Sequence, residues 1–135
     1  MMLKKEVATL YPRDLKYFKE HTWVRMEEDL AVVGITHYAQ KSLGNVVFID
    51  LPQLGTKVQA KTVFGSIESV KAVSDLYAPV SGTVVDRNEK LLDTPELVNS
   101  EPYTGGWMIK IALSNREELD SLLSSEEYQK LVGTA

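Results

Sequence analysis

A chain of 135 residues with 44% hydrophobic and 25% charged side chains has the size and composition of one ordinary soluble domain. It contains no cysteine, which excludes thiol nucleophiles, iron–sulfur ligation, cysteine zinc sites and disulfides, and which fits a reducing compartment. A net charge of −4 is the wrong sign for a surface that gathers phosphate backbones, so nucleic acid is not an expected partner.

Along the chain, Met1-Met2-Leu3-Lys4-Lys5-Glu6 is charged early and leads into no apolar run, which argues against a secretory signal and predicts a cytoplasmic protein. Apolar stretches such as Val46-Val47-Phe48-Ile49 are far shorter than the roughly 20 residues of a bilayer span, so no membrane partner is expected. Residues 1–15 read as an N-terminal extension and 16–135 as a single domain. Strands are predicted at Thr22–Met26, Ala31–Ile35, Val46–Leu51, Lys57–Val58, Val63–Val70, Ala72–Tyr77, Thr83–Asn88 and Trp107–Leu113, where β-branched and aromatic residues are bounded by turn formers. No helical crossover of a dozen residues separates them, which predicts a mainly β, antiparallel sandwich or barrel.

Thr36 as cap and Gly44 as stop bracket a short helix over His37–Leu43, and Thr94-Pro95 predicts a single helical turn through Asn99. Ser114 and Ser124 are each followed three residues later by Glu, the capping-box pattern, so two short C-terminal helices are predicted from about residue 114. Leu119, Leu122 and Leu123 form an apolar stripe on the first; Tyr128, Leu131 and Val132 form one on the second, both expected to dock on the sheet. Val46, Pro52, Gly55, Thr56 and Val58 align at constant offset with Val73, Pro79, Gly82, Thr83 and Val85, through either shared turn chemistry or a duplicated half.

Two strand-like runs, Val63–Val70 and Ala72–Tyr77, meet at Lys71 without the Gly, Asn or Asp of a tight hairpin turn. A lysine at such an apex projects its four-carbon stem beyond the fold, and nothing around it predicts the buried setting of a catalytic amine. It suits an acceptor of enzymatic acylation. The acids Glu68 and Asp75 lie on the two arms of this proposed hairpin. His21 and His37 lack accompanying ligands and predict structural roles with no metal site. Trp23, Trp107 and Tyr103 read as packing residues, Gly105-Gly106 as a turn, and Glu27-Glu28-Asp29 as a solvated turn.

The run Glu68-Ser69-Val70-Lys71-Ala72, with Ser74-Asp75 and Ala78-Pro79-Val80-Ser81-Gly82, resembles the lipoyl-attachment region of the glycine cleavage system H proteins. His21-Thr22-Trp23-Val24, Val33-Gly34-Ile35-Thr36, Leu43-Gly44-Asn45-Val46-Val47-Phe48, Pro95-Glu96-Leu97-Val98-Asn99 and Gly106-Trp107-Met108-Ile109-Lys110-Ile111 resemble the same family, in order. Val70-Lys71-Ala72 differs from the Met-flanked lysine of biotin carriers and from the Asp-Lys-Ala of 2-oxo acid dehydrogenase lipoyl domains. The resemblance implies a barrel-sandwich hybrid of two antiparallel sheets with short helices, and lipoate in amide linkage to Lys71. It further implies a monomeric, non-catalytic carrier that receives the aminomethyl group of glycine at the P-protein (glycine decarboxylase) and delivers it to the T-protein (aminomethyltransferase). The L-protein (dihydrolipoyl dehydrogenase) reoxidises the arm, and lipoate-attaching enzymes are further partners. Glu68 and Asp75 are expected to help the attaching enzyme select Lys71, and Asp75 to hold the loaded arm. Thr22 stands where the family commonly has an acid, with Glu20 as the nearby alternative. A different class of reading, an H-like protein acting as lipoate donor or regulatory module, shares the same attachment motif.

Overall fold

The computed structural model describes residues 10–133; the first nine residues of the N-terminal extension lie outside it. Among the described residues, nine strands form two antiparallel sheets. The six-stranded sheet has the order β1 (Lys16–Tyr17), β2 (Thr22–Glu27), β3 (Leu30–Ile35), β9 (Ile109–Leu113), β8 (Gly82–Arg87), β5 (Lys57–Val58). The three-stranded sheet has the order β4 (Val46–Asp50), β6 (Val63–Ser69), β7 (Val73–Tyr77). This two-sheet architecture with short helices is the one the sequence predicts.

Strand alternation sends Ile49, Ile67 and Leu76 of the small sheet inward to meet Val24, Val33, Val84, Ile109 and Ile111 of the large one in a single core. The opposite face of β2 and β3 is covered as well. Trp23 and Val32 pack there with Tyr11, Leu15, Tyr17 and Tyr128 in a second cluster. Burial on both faces explains why Ala31-Val32-Val33 reads as an unbroken apolar run rather than an alternating one. Tyr11 and Leu15 bring the end of the N-terminal stretch into this packing, and the Tyr11 carbonyl accepts a hydrogen bond from Ser125 Oγ at 2.5 Å. Trp23 Nε1 donates to the carbonyls of Ile35 (2.9 Å) and Pro102 (3.0 Å), and the indole lies so close over Gly34 that an added Cβ would stand 2.6 Å from it.

The helices are short: α1 (His37–Leu43), α2 (Lys90–Asp93), α3 (Leu97–Ser100) and α4 (Ser125–Val132). The Thr36 hydroxyl caps α1 by accepting from Ala39 N, and Gly44 ends it with φ 78° but an extended ψ of −157°, outside the left-handed helical region expected there. Ser124 and Glu127 form the predicted capping box of α4. The box predicted at Ser114 is absent. Asn115 takes that role, accepting from Glu117 N, and the segment Arg116–Ser121 is a 3-10 rather than an α-helix. Its Glu118 carboxylate accepts from the Ser81 amide (2.7 Å) and hydroxyl (2.8 Å), which ties the segment to the residue preceding β8. Thr94 makes no side-chain cap, but its carbonyl accepts from Leu97 N and that of Pro95 from Val98 N, each at 3.2 Å, so a turn starts where predicted and leads into α3. Leu122 and Tyr128 are buried as the stripes require, but Leu131 is 53% exposed because the eight-residue α4 offers the sheet only a narrow face.

The internal similarity has an architectural counterpart. β4 and β7 flank β6 in the small sheet, and each chain then turns a Pro- and Gly-containing corner into the large sheet, where β5 and β8 pair.

Candidate functional site

β6 and β7 pair from Val63↔Tyr77 to Glu68↔Val73, leaving Ser69 to Ala72 as the turn. Neither Val70 nor Lys71 has a positive φ, so this is not one of the glycine-dependent hairpin turns. Ser69 supplies the missing chemistry. Its amide donates to the Ala72 carbonyl at 2.8 Å, and its hydroxyl accepts from the amides of Lys71 (3.2 Å) and Ala72 (3.1 Å). A hydroxyl that satisfies the turn's own backbone lets β-branched Val70 and long Lys71 occupy the tip.

The tip is also braced from outside. Val70 N donates to the Asn45 carbonyl at 3.1 Å, and Gly44 lies beside the Lys71 stem, an added Cβ being 3.6 Å from Lys71 Cε. Asn99 of α3 fixes that neighbouring loop: its Nδ2 donates to the Gly44 carbonyl (2.9 Å) and to Gln40 Oε1 (3.1 Å), while its Oδ1 accepts from Val46 N (2.9 Å). Lys71 itself is exposed, and its ammonium has no ion-pair partner among the described residues. Sequence reading finds Lys71 but not Ser69 or Asn99. The Ser at the first position of a turn was a legible signal; the Asn99 contact, with partners more than fifty residues away, was not.

Glu68 and Asp75 are both exposed, and neither forms an ion pair with Lys71. They belong to different surroundings. Glu68 stands in a cross-strand row between Phe48 and Val73. Asp75 lines a cavity of about 170 Å³ between α1, the start of β2 and the β7 edge, together with Glu20, His21, Thr22, Tyr38 and Ile67. Thr22 is buried and its hydroxyl donates to the Tyr77 carbonyl at 3.0 Å, so Glu20 and Asp75 are the carboxylates of this wall.

His21, held at φ 75°, has Nδ1 at 2.7 Å from the Tyr128 hydroxyl, which also meets Thr36 Oγ1 at 2.8 Å. Burial lowers the His21 pKa from 6.5, with Glu20 opposing. Burial and the nearby Lys41 lower that of His37, whose Nδ1 lies 3.2 Å from Gln40 Nε2. Burial raises the phenols of Tyr17, Tyr103 and Tyr128 above their usual range. Both histidines are thus neutral hydrogen-bonding groups near pH 7, as structural roles require.

The family model for the glycine cleavage H-protein matches residues 15–135. The glycine cleavage system H protein of Carboxydothermus hydrogenoformans is 54% identical over 124 residues, spanning 92% of this chain and 95% of that one. Its counterpart from Staphylococcus carnosus is 51% identical over 122 residues, spanning 90% and 97%. A crystal structure of the Mycobacterium marinum H protein superposes with a TM-score of 0.83 at 34% identity, covering 90% of this chain and 98% of that one. The lysine-bearing turn, its two-sheet setting and these likenesses along nearly the whole length agree, and the chain belongs to the glycine cleavage H-protein family.

Proposed function

We propose that Lys71 carries lipoate in amide linkage and that the chain is the carrier of glycine cleavage, taking the aminomethyl group of glycine from the P-protein to the T-protein, with the L-protein restoring the oxidised arm. The observation that carries this reading is the exposed Lys71 on a tip held by Ser69 within and by Asn45 and Gly44 without.

Lipoate supplies the two sulfurs that a chain without cysteine lacks. What the protein adds is position. Attachment forms an amide between Lys71 Nζ and the lipoyl carboxyl carbon: the ammonium gives up one proton to become the attacking amine, the bond from the activated carboxyl carbon to its leaving group breaks, and a second proton leaves the nitrogen as the amide forms. Tethering at a fixed tip raises the local concentration of the arm at a docked active site toward the mM range, with no need for a permanent complex. Glu68, the strand residue immediately before the turn, helps the attaching enzyme distinguish Lys71 from other lysines. Asp75 and Glu20 line the neighbouring cavity and suit the cationic amine that the arm acquires, while the apolar wall of Ile67 and Leu43 suits its hydrocarbon.

Intact mass after incubation with lipoate ligase, ATP and lipoate tests the reading. One lipoyl addition is expected, lost in Lys71→Arg, and the modified chain should support glycine–CO₂ exchange by the P-protein. An unmodified Lys71, or a modified chain inactive in exchange, contradicts it.

A further inference from the structure

An antiparallel sheet with one face on the core ordinarily turns polar residues outward. The three-stranded sheet departs from this beside Lys71. Phe48 is 54% exposed and Val73 71%, with Val70 at the tip also 71%. The register makes these neighbours: Phe48 pairs with Glu68 and Glu68 with Val73, so an aromatic ring and a β-branched side chain flank one carboxylate in a single row across the outer face. The next row is Asp50–Ser66–Asp75. The two rows bear Glu68, Asp50 and Asp75 and no cation. An exposed apolar patch whose strand rows carry only acidic charge, with Lys71 as the cation at the adjoining tip, is the form of an interaction surface, and it complements a partner with an apolar contact and basic groups facing those rows.

We propose that this face, anchored by Phe48 and Val73, is where the enzyme that acylates Lys71 docks. The proposal rests on Lys71 being the attachment site. An enzyme that acts on Nζ must bring its catalytic groups to the turn itself, so its surface meets the residues in register with the turn. Enzymes that work on the far end of an attached arm react at atoms an arm's length from Nζ, so only the acylating enzyme is obliged to act at the turn. Among the strand residues of this face, Phe48 and Val73 therefore matter before the arm is present and Glu68 between them sets the electrostatic match.

The full chain, its Phe48→Ser and Val73→Ser variants and the distal control Leu131→Ser, whose side chain is 53% exposed on α4, are acylated with lipoate ligase and lipoyl-adenylate and followed by intact mass. Each face variant is expected to lose about tenfold in kcat/KM through KM, with unchanged thermal unfolding and with Leu131→Ser at the wild-type rate. Added salt should lower the wild-type kcat/KM. Wild-type rates in both face variants overturn the docking surface alone. Normal acylation with impaired loading by the P-protein also overturns it, assigning the face to that enzyme. A wild-type chain that takes no acyl group at Lys71 overturns the attachment reading and this proposal with it.

Discussion

The hydroxyl of Ser69 and the backbone amide of Lys71 are joined by a hydrogen bond of 3.2 Å, so the residue that shapes the turn also fixes the residue the turn presents. Ser69→Ala removes this acceptor and the one for Ala72 N. The Ser69 side chain is buried but the residues that lose its bonds, Lys71 and Ala72, are exposed, so the expected cost is modest, about 0.5–1.5 kcal/mol in urea denaturation. Amide exchange at Lys71 and Ala72 should quicken well beyond that of the remaining hairpin. Unchanged exchange there would show that Ser69 does not hold the tip.

Asn99 is expected to matter more for stability. Its three bonds to Gly44, Gln40 and Val46 are partly buried, and Asn99→Ala leaves two main-chain groups to find new partners, at an expected cost of about 2–3 kcal/mol. Asn99→Asp should be as damaging, since it sets a carboxylate oxygen against the Gly44 carbonyl. Equilibrium denaturation measures both, and a loss below that of Ser69→Ala would contradict the ranking.

Gly34→Ala tests the packing of β3 on Trp23. The new methyl would stand 2.6 Å from the indole, which is fully buried and held by two carbonyls, so neither partner can step aside without breaking a bond. A loss of about 1–3 kcal/mol is expected. Thermal unfolding checks it; a neutral substitution would mean that the indole shifts freely.

Stability should also fall in mild acid. Burial lowers the His21 pKa in the folded chain, so the unfolded chain binds more protons once the pH drops toward its own value near 6.5. Stabilisation is present at pH 7 and is lost as the pH falls through 6.5 toward the folded value; His37 adds in the same direction. His21→Asn keeps a residue tolerant of the positive φ and removes the titration. Its melting temperature should decline less than wild type between pH 7 and 5.5, and parallel declines would refute a role for His21.

Long-range strands were legible because β-branched runs bounded by turn residues leave few alternatives. β2, β3, β4 and β6 stand within a residue or so of their predicted limits. The two-residue β1 was not: it carries no pattern of its own and forms by pairing Lys16 and Tyr17 with Val24 and Trp23 of β2, while Tyr17 also exchanges backbone hydrogen bonds with Leu123, far along the chain. Lys71 was legible as the meeting of two strands, whereas its supports were not. Asn99 acts across the fold, and Thr22 could not be seen to spend its hydroxyl on Tyr77 until both strands were in place. At the C-terminus, Ser114 matched the capping box but lost to Asn115, since a contact with the residue preceding β8, between Glu118 and Ser81, outweighs a local propensity.

A hairpin tip clamped from inside by a serine hydroxyl and from outside by the Asn45 carbonyl has little freedom to bend toward a visitor. Motion is thereby concentrated in rotations about the single bonds of one side chain. Under the proposed attachment at Lys71, visiting enzymes would converge on a fixed pivot and take turns within the sphere that side chain sweeps, so that delivery is sequential by geometry and the polypeptide is unchanged from one visit to the next.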